Sequence, residues 1–189
     1  MNTIVLTHDL LTLLMPNATD RNIEKFCTPL NEAMLEYKIN TSLRIAAFLA
    51  QVEVESGSLK YVMELADGSA YEYRADLGNL LPEALLAAHS NYSTTGKFYK
   101  GHGLIQITGF TNHKKCGEAL GLPLVTNPTL LCEPVNAARS AAWFFNSHGC
   151  CDLADVKLFN KITKVINGGY NNALERTNAY SRNKMILNA

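Results

Sequence analysis

The chain has 189 residues, with 17 lysines and arginines, 17 aspartates and glutamates, and a net charge of zero when histidine is neutral. This length can bury a core without disulfide bonds or a structural metal, and it corresponds to one domain or to one domain with a small inserted lobe. A neutral chain without a basic cluster argues against nucleic acid or an anionic membrane as the main partner.

The first predicted element is a short amphipathic helix. The stretch MNTIVLTHDLLTLLMPNAT is partly apolar, but it lacks a basic start and a small-residue cleavage site, and it carries His8 and Asp9 inside the apolar run. We therefore interpret it as a helix that is capped at Thr7 and ends before Pro16. No signal peptide and no apolar run of about 18 residues are visible, so we expect synthesis in the cytoplasm and no membrane-embedded segment.

The cysteine pattern favours free thiols. The five cysteines are at positions 27, 116, 132, 150 and 151. An odd number with two adjacent members is a poor disulfide framework, and none of the spacings is the C-x-x-C of common zinc sites. We expect reduced, mostly buried thiols, and neither a metal nor an organic cofactor.

Two more helices are predicted before residue 56. Apolar residues recur at helical spacing from Ile23 to Tyr37, and a break and restart is expected at Thr28-Pro29, because proline suits the first turn of a helix. The stretch SLRIAAFLAQVEVES that follows is apolar on nearly every side. Such a pattern is typical of a central, buried helix.

Glu55 lies at the C-terminal end of this buried helix, before Ser56-Gly57. The helix dipole places partial negative charge at that end, and burial would remove water from the side chain. Both effects favour the neutral form of a carboxyl group, which a general acid needs. The pattern also fits a solvated glutamate at a frayed helix end. Glu53, two residues earlier, is expected on another side of the helix.

Residues 65 to 100 differ from the rest of the chain. Glycine, serine, asparagine and tyrosine are common there, and only PEALLAAH predicts a short helix. A long irregular segment in a compact domain is often functional. Glu64, just before it, could face the same cleft as Glu55, and paired carboxylates in different environments carry out glycoside hydrolysis. From spacing alone, other acids compete equally well: Glu53, Asp67, Glu72 and Glu83.

The run KGHGLIQITG, residues 100–109, contains the clearest signal for an extended segment, around residues 103–108. Gly101 and Gly103 permit close approach of the backbone to another group. Gln106 and Thr108 are two residues apart, so in a strand they would point to the same side. An amide and a hydroxyl on one wall suit sugar hydroxyls, N-acetyl groups or an ordered water. An edge strand with a solvated polar face is the alternative.

The C-terminal half predicts more helices, over 136–147, over about 156–166, and from about 171 onward. The predicted fold class is therefore mainly α, with at most a small β-hairpin.

Two polar features of this half have simple interpretations. Asn167-Gly168-Gly169 fits a helix end with a left-handed cap, and Arg176 fits a surface arginine beside Glu175. No metalloprotease, nucleophile-elbow or phosphate-loop motif occurs, and nothing specific supports a Cys/His nucleophile pair.

Four motifs resemble glycoside hydrolase family 19 in sequence and in order: AQVEVESGSLKYVMELADGSAYEYRADLGN, FYKGHGLIQITGFTNH, AARSAAWFF and ITKVINGGYNNALER. They resemble its phage and bacterial lysozyme-like branch, the endolysins, more than the plant chitinases, over about residues 40–185. The resemblance implies a mainly helical, two-lobed, lysozyme-like fold with a sugar cleft between the lobes. We expect one catalytic domain over residues 1–189, with about 65–100 as a mobile segment. No separate wall-binding module is expected, because the first 40 residues predict helices of the same domain.

The resemblance also implies a set of site residues. Glu55 matches the general acid, Glu64 the general base, and Thr108 the hydroxyl that helps to hold the attacking water. Gln106 and Asn112 match positions of the cleft wall beside Thr108. Asn167 and Arg176 match substrate-contacting and carboxylate-orienting positions. Family membership implies inversion at the anomeric carbon, with carboxyl groups roughly 6.5–9.5 Å apart so that a water fits between them.

Three positions differ from the family pattern. Val54 replaces a histidine before the first catalytic glutamate, His102 lies between two glycines where the family has arginine, and His113 replaces an aromatic residue after Asn112. Histidine ordinarily changes its charge between pH 5 and 8. His102 therefore predicts activity that is more sensitive to pH near neutrality.

The predicted function is that of an endolysin-type muramidase, which cleaves β-1,4 bonds of bacterial peptidoglycan by an inverting acid/base mechanism and lyses the cell. Its partners would be peptidoglycan glycan strands, and it is expected to be a monomer that reaches the wall after membrane disruption. The alternatives are a chitinase acting on N-acetylglucosamine polymers and a non-catalytic sugar-binding module. A purely structural domain would leave the four motifs unexplained.

Overall fold

Ten α-helices and three short 3₁₀-helices form most of residues 4–189, which the computed structural model describes. The α-helices are α1 (His8–Leu14), α2 (Asp20–Glu36), α3 (Ser42–Glu55), α4 (Pro82–Ser90), α5 (Thr95–Phe98), α6 (Phe110–Leu120), α7 (Pro134–Ser147), α8 (Cys150–Asp155), α9 (Phe159–Asn167) and α10 (Ala173–Ile186). The 3₁₀-helices are Ser69–Tyr71, Ala75–Leu77 and Pro128–Cys132. The mainly α fold class is confirmed.

The N-terminal helix begins and ends where the sequence predicts. The hydroxyl of Thr7 accepts a hydrogen bond from the backbone N–H of Leu10 at 3.1 Å, so it satisfies a donor that the first turn would leave without a partner. Helix α1 ends at Leu14, before Pro16.

The predicted break at Thr28-Pro29 is wrong, because α2 runs through Pro29 over 17 residues. Proline removes one helical hydrogen bond and crowds the preceding turn. The helix nevertheless buries one side along its whole length, largely against α7. Burial of that apolar stripe outweighs the local loss, which illustrates how packing overrides propensity.

Helix α3 is the central element. Its N-cap is Thr41, whose hydroxyl accepts from the N–H of Arg44 at 3.2 Å. Every residue from Ile45 to Glu53 is buried, and the helix packs against α7, α8, α9 and α10. The prediction of a central buried helix is therefore confirmed. Its last residue is Glu55, so the fold presents this carboxyl group at the end of a rigid element.

The apolar residues form one large core and two smaller clusters. The large core joins α1–α3 with α7–α10, and Phe48 of α3 packs edge-on against Phe145 of α7, with ring centroids 5.4 Å apart. A second cluster lies under α6 around Cys116, and a third joins α4 to Tyr99 and Phe110. The two smaller clusters lie around α6 and α4, outside the large core, and the cleft described below includes the C-terminal end of α3.

The segment 65–100 contains the predicted helix PEALLAAH, which is the greater part of α4. It is also fastened by its own polar contacts. The carboxylate of Glu72 accepts hydrogen bonds from the hydroxyl of Thr94 and from the N–H of Gly96. Gly68 and Gly96 approach so closely that a Cβ on either would come within 2.6 Å of the other's carbonyl oxygen. These contacts fold the segment back on itself beside the cleft.

The regular extended segment predicted over residues 103–108 is wrong. Gly103 and Gln106 have positive φ angles of 88° and 51°, and the N–H of Gln106 donates to the carbonyl of Gly103. Residues 103–106 form a tight turn. The residues on either side of it, His102 and Ile107, pair in an isolated antiparallel bridge. The turn reverses the chain, so Gln106 and Thr108 do not lie on one face of a strand.

The five cysteines are free, and three of them, Cys116, Cys150 and Cys151, are buried. Across residues 4–189, no helix combines the length and the apolar character needed to cross a membrane.

Candidate active site

One surface cleft, with a volume of about 290 Å³, contains both predicted catalytic carboxylates. Its lining consists of Glu55, Tyr61, Met63, Glu64, Leu65, Ala66 and Gln106. Apart from the two acids and the amide of Gln106, most of this lining is apolar. The structure therefore brings together three of the seven predicted site residues in one concave surface, as a small-molecule or polymer site requires.

Glu55 is held by an ion pair with Arg176. The Nη2 group of Arg176 donates to Oε1 of Glu55 at 2.6 Å, and the glutamate side chain is 15% exposed. Glu55 also lines the cleft, and its Oε2 has no hydrogen-bond partner among residues 4–189. The interpretation of Glu55 as a solvated residue at a frayed helix end is wrong, because α10 fixes its carboxylate from behind.

Arg176 is buried beneath the site, with only 2% of its surface exposed. Besides Glu55, it donates to Oε1 of Gln51 at 2.6 Å and to the carbonyl of Asn171 at 3.1 Å. Its interpretation as a surface arginine beside Glu175 is wrong. A guanidinium group offers several donors in a fixed plane, so one side chain ties α3 to the loop before α10.

Asn167 lies at the end of α9 and contacts the loop before α10, the loop that Arg176 also contacts. Its Oδ1 accepts a hydrogen bond from the N–H of Asn171 at 3.1 Å. Asn171 in turn provides the carbonyl that Arg176 contacts. Gly168 follows with a positive φ of 72°, so the helix end with a left-handed cap is confirmed. In this structure Asn167 shapes the loop that orients Arg176.

Glu64 is held from the other side of the cleft. Its Oε1 accepts from the hydroxyl of Tyr71 at 2.9 Å, and its Oε2 accepts from the N–H of Gly101 at 3.0 Å. Burial, together with the hydrogen bond to Glu64, raises the pKa of Tyr71, so the phenol remains a donor. The ammonium of Lys100 bonds to the backbone carbonyls of Glu64 and Ala66 and fixes the chain on which the carboxylate sits.

Gln106, Thr108 and Asn112 form a continuous run of contacts. The amide of Gln106 donates to the carbonyl of Gly103 at 3.0 Å. The hydroxyl of Thr108 donates to the carbonyl of Gln106 at 3.1 Å, and the amide of Asn112 donates to the carbonyl of Thr108 at 2.8 Å. Gln106 lines the cleft, whereas Thr108 and Asn112 lie behind it, outside the lining given above.

Glu53 points away from this cleft, as predicted. Its carboxylate pairs with Arg182 of α10, and it lines a separate polar depression with Asn17 and Asn178. Burial raises the pKa of Glu53, although the charge and the hydrogen bond of Arg182 act in the opposite direction. A raised pKa alone would make Glu53 a candidate acid, but its position excludes it from the cleft that contains Glu64.

The environment of His102 argues against the predicted pH sensitivity of activity near neutrality. Burial, and to a smaller extent the charge of Lys100, lowers the pKa of His102 to about 4. Burial lowers the pKa of its neighbour His113 to about 3. Both rings are therefore neutral between pH 5 and 8.

These two histidines predict a loss of stability in acid. Their pKa values in the folded protein lie below the ordinary value of about 6.5, so the unfolded chain binds more protons between pH 6.5 and 4. The free energy of unfolding should fall across that window, by on the order of 3 kcal/mol for one fully shifted histidine. Urea unfolding from pH 7 to pH 4 measures it. The double variant His102→Asn/His113→Gln should lose less stability over the same range than the wild type.

No cluster of three or more histidine, cysteine, aspartate or glutamate side chains within residues 4–189 is arranged to hold a metal ion.

Two residues of the site were missed by the sequence analysis. Gln51 lies one helical turn before Glu55, so it shares the side of α3 that faces Arg176, and the (i, i+4) spacing was a usable signal. Tyr71 could not be found in the same way, because its contact with Glu64 depends on how the 65–100 segment folds.

Comparison with known proteins identifies relatives of this chain. Residues 36–153 match the model of glycoside hydrolase family 19, described as chitinase class I. An endochitinase of Arabidopsis thaliana is 35% identical over 145 residues, which cover 73% of this chain and 44% of that protein. A glycosyl hydrolase family 19 domain-containing protein of Haemophilus influenzae is 29% identical over 162 residues, covering 71% of this chain and 76% of that protein. The chain spans less than half the length of the plant endochitinases that it matches.

Solved structures show the same fold. Chitinase C of Streptomyces griseus HUT6037 has a TM-score of 0.77 at 24% sequence identity, and the match covers 100% of this chain and 79% of that one. A class IV chitinase of Zea mays has a TM-score of 0.73 at 20% identity, with 98% of this chain and 94% of that one covered. The predicted lysozyme-like helical fold is therefore confirmed.

Proposed function

The chain belongs to glycoside hydrolase family 19, and from that membership we propose that it hydrolyses β-1,4 bonds in chitin-type polymers of N-acetylglucosamine. The observation that carries the proposal is the single cleft that Glu55 and Glu64 both line. The relatives named endochitinases support chitin as the polymer.

Glu64 is the general base of the proposed reaction. It accepts hydrogen bonds from Tyr71 and Gly101, which are donors suited to a charged carboxylate. A base must be deprotonated before it can take a proton from water. Gln106 lines the same cleft, and the hydroxyl of Thr108 donates a hydrogen bond to the backbone carbonyl of Gln106. We assign Gln106 to the wall that orients the attacking water and the sugar, and Thr108 and Asn112 to the contacts that support Gln106.

Glu55 is the general acid. Glu55 lines the cleft while Arg176 holds its Oε1, so the fold fixes the direction of the carboxyl group. As the acid, Glu55 must carry a proton when it protonates the glycosidic oxygen. Bond cleavage then transfers that proton to the leaving oxygen, while Glu64 takes a proton from the water that attacks the opposite face.

A second candidate substrate is bacterial peptidoglycan, the polymer predicted from the endolysin-like motifs. It contains the same β-1,4 linkage between N-acetylated sugars, and the chain matches most of the length of a bacterial relative rather than less than half. With this substrate the protein would act as a lytic muramidase on glycan strands, as a single catalytic domain that reaches the wall from the cytoplasm once the membrane is broken.

Product analysis tests the proposal. We expect the protein to cleave the N-acetylglucosamine hexamer, with the α-anomer formed first, as inversion requires. Chromatography that separates anomers, followed by mass spectrometry, measures both. Purified peptidoglycan is digested in parallel, and its new reducing ends are labelled with borohydride. Labelled N-acetylmuramic acid with an intact hexamer would transfer the proposal to peptidoglycan. No cleavage of either, with retained binding, would identify a sugar-binding module.

A further inference from the structure

His102 and His113 lie buried against each other behind the cleft wall. They are 1% and 0% exposed, and Nδ1 of His102 is 3.1 Å from Nε2 of His113. They are two of the three positions at which the motifs of this chain differ from the family pattern, and in the structure they meet. Neither histidine has a part in the mechanism proposed above.

Their hydrogen bonds determine which nitrogen carries each proton. Nδ1 of His113 lies 2.9 Å from the carbonyl oxygen of Gly109, and because a carbonyl only accepts, this nitrogen must donate. In a neutral ring Nε2 of His113 then accepts, so Nδ1 of His102 is the donor. Burial lowers the pKa of both histidines, which keeps the rings neutral. The hydrogen bonds thus run in one direction, from His102 through His113 to the start of α6.

The backbone of His102 belongs to a short ladder that supports Glu64. Its N–H donates to the carbonyl of Ile107 at 3.1 Å, and the N–H of Ile107 donates back at 2.8 Å. On the other side, the N–H of Glu64 donates to the carbonyl of Gly101 at 2.8 Å, and Met63 forms an antiparallel bridge with His102. The segment that contains His102 therefore lies between the segment of Met63 and the segment of Ile107, and it pairs with both.

Gly101 connects this ladder to the cleft. Its N–H donates to Oε2 of Glu64 at 3.0 Å, and it directly precedes His102. The space beside it is filled, since a Cβ at Gly101 would come within 2.4 Å of Oε1 of Gln106. A displacement of His102 would therefore move both the donor to Glu64 and the amide of Gln106.

We propose that His102 is a positioning residue for Glu64: its hydrogen bond to His113 holds the ladder against α6 and thereby keeps the N–H of Gly101 on the carboxylate. Neither histidine lines the cleft, so the effect on the reaction passes through Gly101. The consequence for catalysis rests on the proposed role of Glu64 as general base.

Two pairs of variants separate the hydrogen bond from the volume of the rings. His102→Phe and His113→Phe keep a planar ring but remove the bond between the side chains. His102→Asn keeps a donor near the position of Nδ1, and His113→Gln keeps an acceptor near the position of Nε2. The substrate is the N-acetylglucosamine hexamer, and a folded state is established for each variant by thermal unfolding.

For His102→Phe we expect kcat to fall by about 10- to 100-fold with KM changed less than about threefold, because a small misplacement of a catalytic group is costly. His102→Asn should regain most of the rate. The double phenylalanine variant should be no slower than the worse single variant, because both remove one bond.

A readout independent of activity separates this inference from the proposed function. In nitrogen–proton correlation spectra, the amide of Gly101 should shift upfield in His102→Phe, and also in Glu64→Gln, because both lose its bond to a carboxylate. If that amide stays in place in a folded His102→Phe protein, or if His102→Asn is as slow as His102→Phe, the positioning role is refuted. If the amide shifts but Glu64→Gln remains active, the proposed function fails instead.

Discussion

Replacing Glu55 by glutamine is expected to reduce the hydrolysis of N-acetylglucosamine oligomers by about a thousandfold. Loss of a general acid typically costs roughly 10²- to 10⁴-fold in rate. Glutamine keeps the length of the side chain and an oxygen that can accept from Arg176, but it cannot supply the proton for the leaving oxygen. The fold should therefore persist, and KM should change little. Initial rates measured by chromatography of the products, with thermal unfolding as a check, give both values.

Glu53→Gln is the matched control for this experiment. Glu53 lies on the same helix, two residues earlier, and it is the acid whose pKa is raised by burial. Its carboxylate contacts Arg182 in a depression outside the cleft. The control should lose some thermal stability and retain kcat. If Glu53→Gln were the inactive variant and Glu55→Gln the active one, the assignment of the acid would be wrong.

Replacing Arg176 by methionine should destabilise the protein by about 3–5 kcal/mol, the usual cost of removing one partner of a buried ion pair. The arginine is 2% exposed and gives hydrogen bonds to Gln51, Glu55 and Asn171. Its loss removes a donor from the carboxylate of Glu55, from Oε1 of Gln51 and from the carbonyl oxygen of Asn171. Urea unfolding gives the change in free energy, and the rate of hydrolysis should fall below detection because Glu55 is no longer directed.

Arg176→Lys and a double variant make this prediction sharper. Lysine preserves the charge but not the planar set of donors that reaches three acceptors at once, so Arg176→Lys should remain folded and still lose most of its activity. Glu55→Gln/Arg176→Met removes both charges and should be more stable than Arg176→Met alone, which gives a coupling energy by a double-mutant cycle. A methionine variant with wild-type stability would show that the pair does not hold the site together.

The local features of the fold could be read from the sequence. The cap at Thr7 and the burial of α3 depend on residues within a few positions of each other, because helix starts and helix periodicity are local properties. The position of Glu55 at the end of a buried helix follows from the same pattern. The order of the motifs was sufficient to indicate the family, and Glu55, Glu64 and Gln106 do line one cleft.

The tertiary structure alone decided what surrounds these residues. Packing of α2 against α7 carries the helix through Pro29, and positive φ angles at Gly103 and Gln106 turn a stretch with a strand-like pattern into a tight turn. Arg176 is separated from Glu55 by 121 positions in the chain, so no spacing rule connects them. Burial also lowers the pKa of His102 and so removes the pH response that an isolated histidine would have. Desolvation and long-range contacts set these properties, and both depend on the complete packing of the chain.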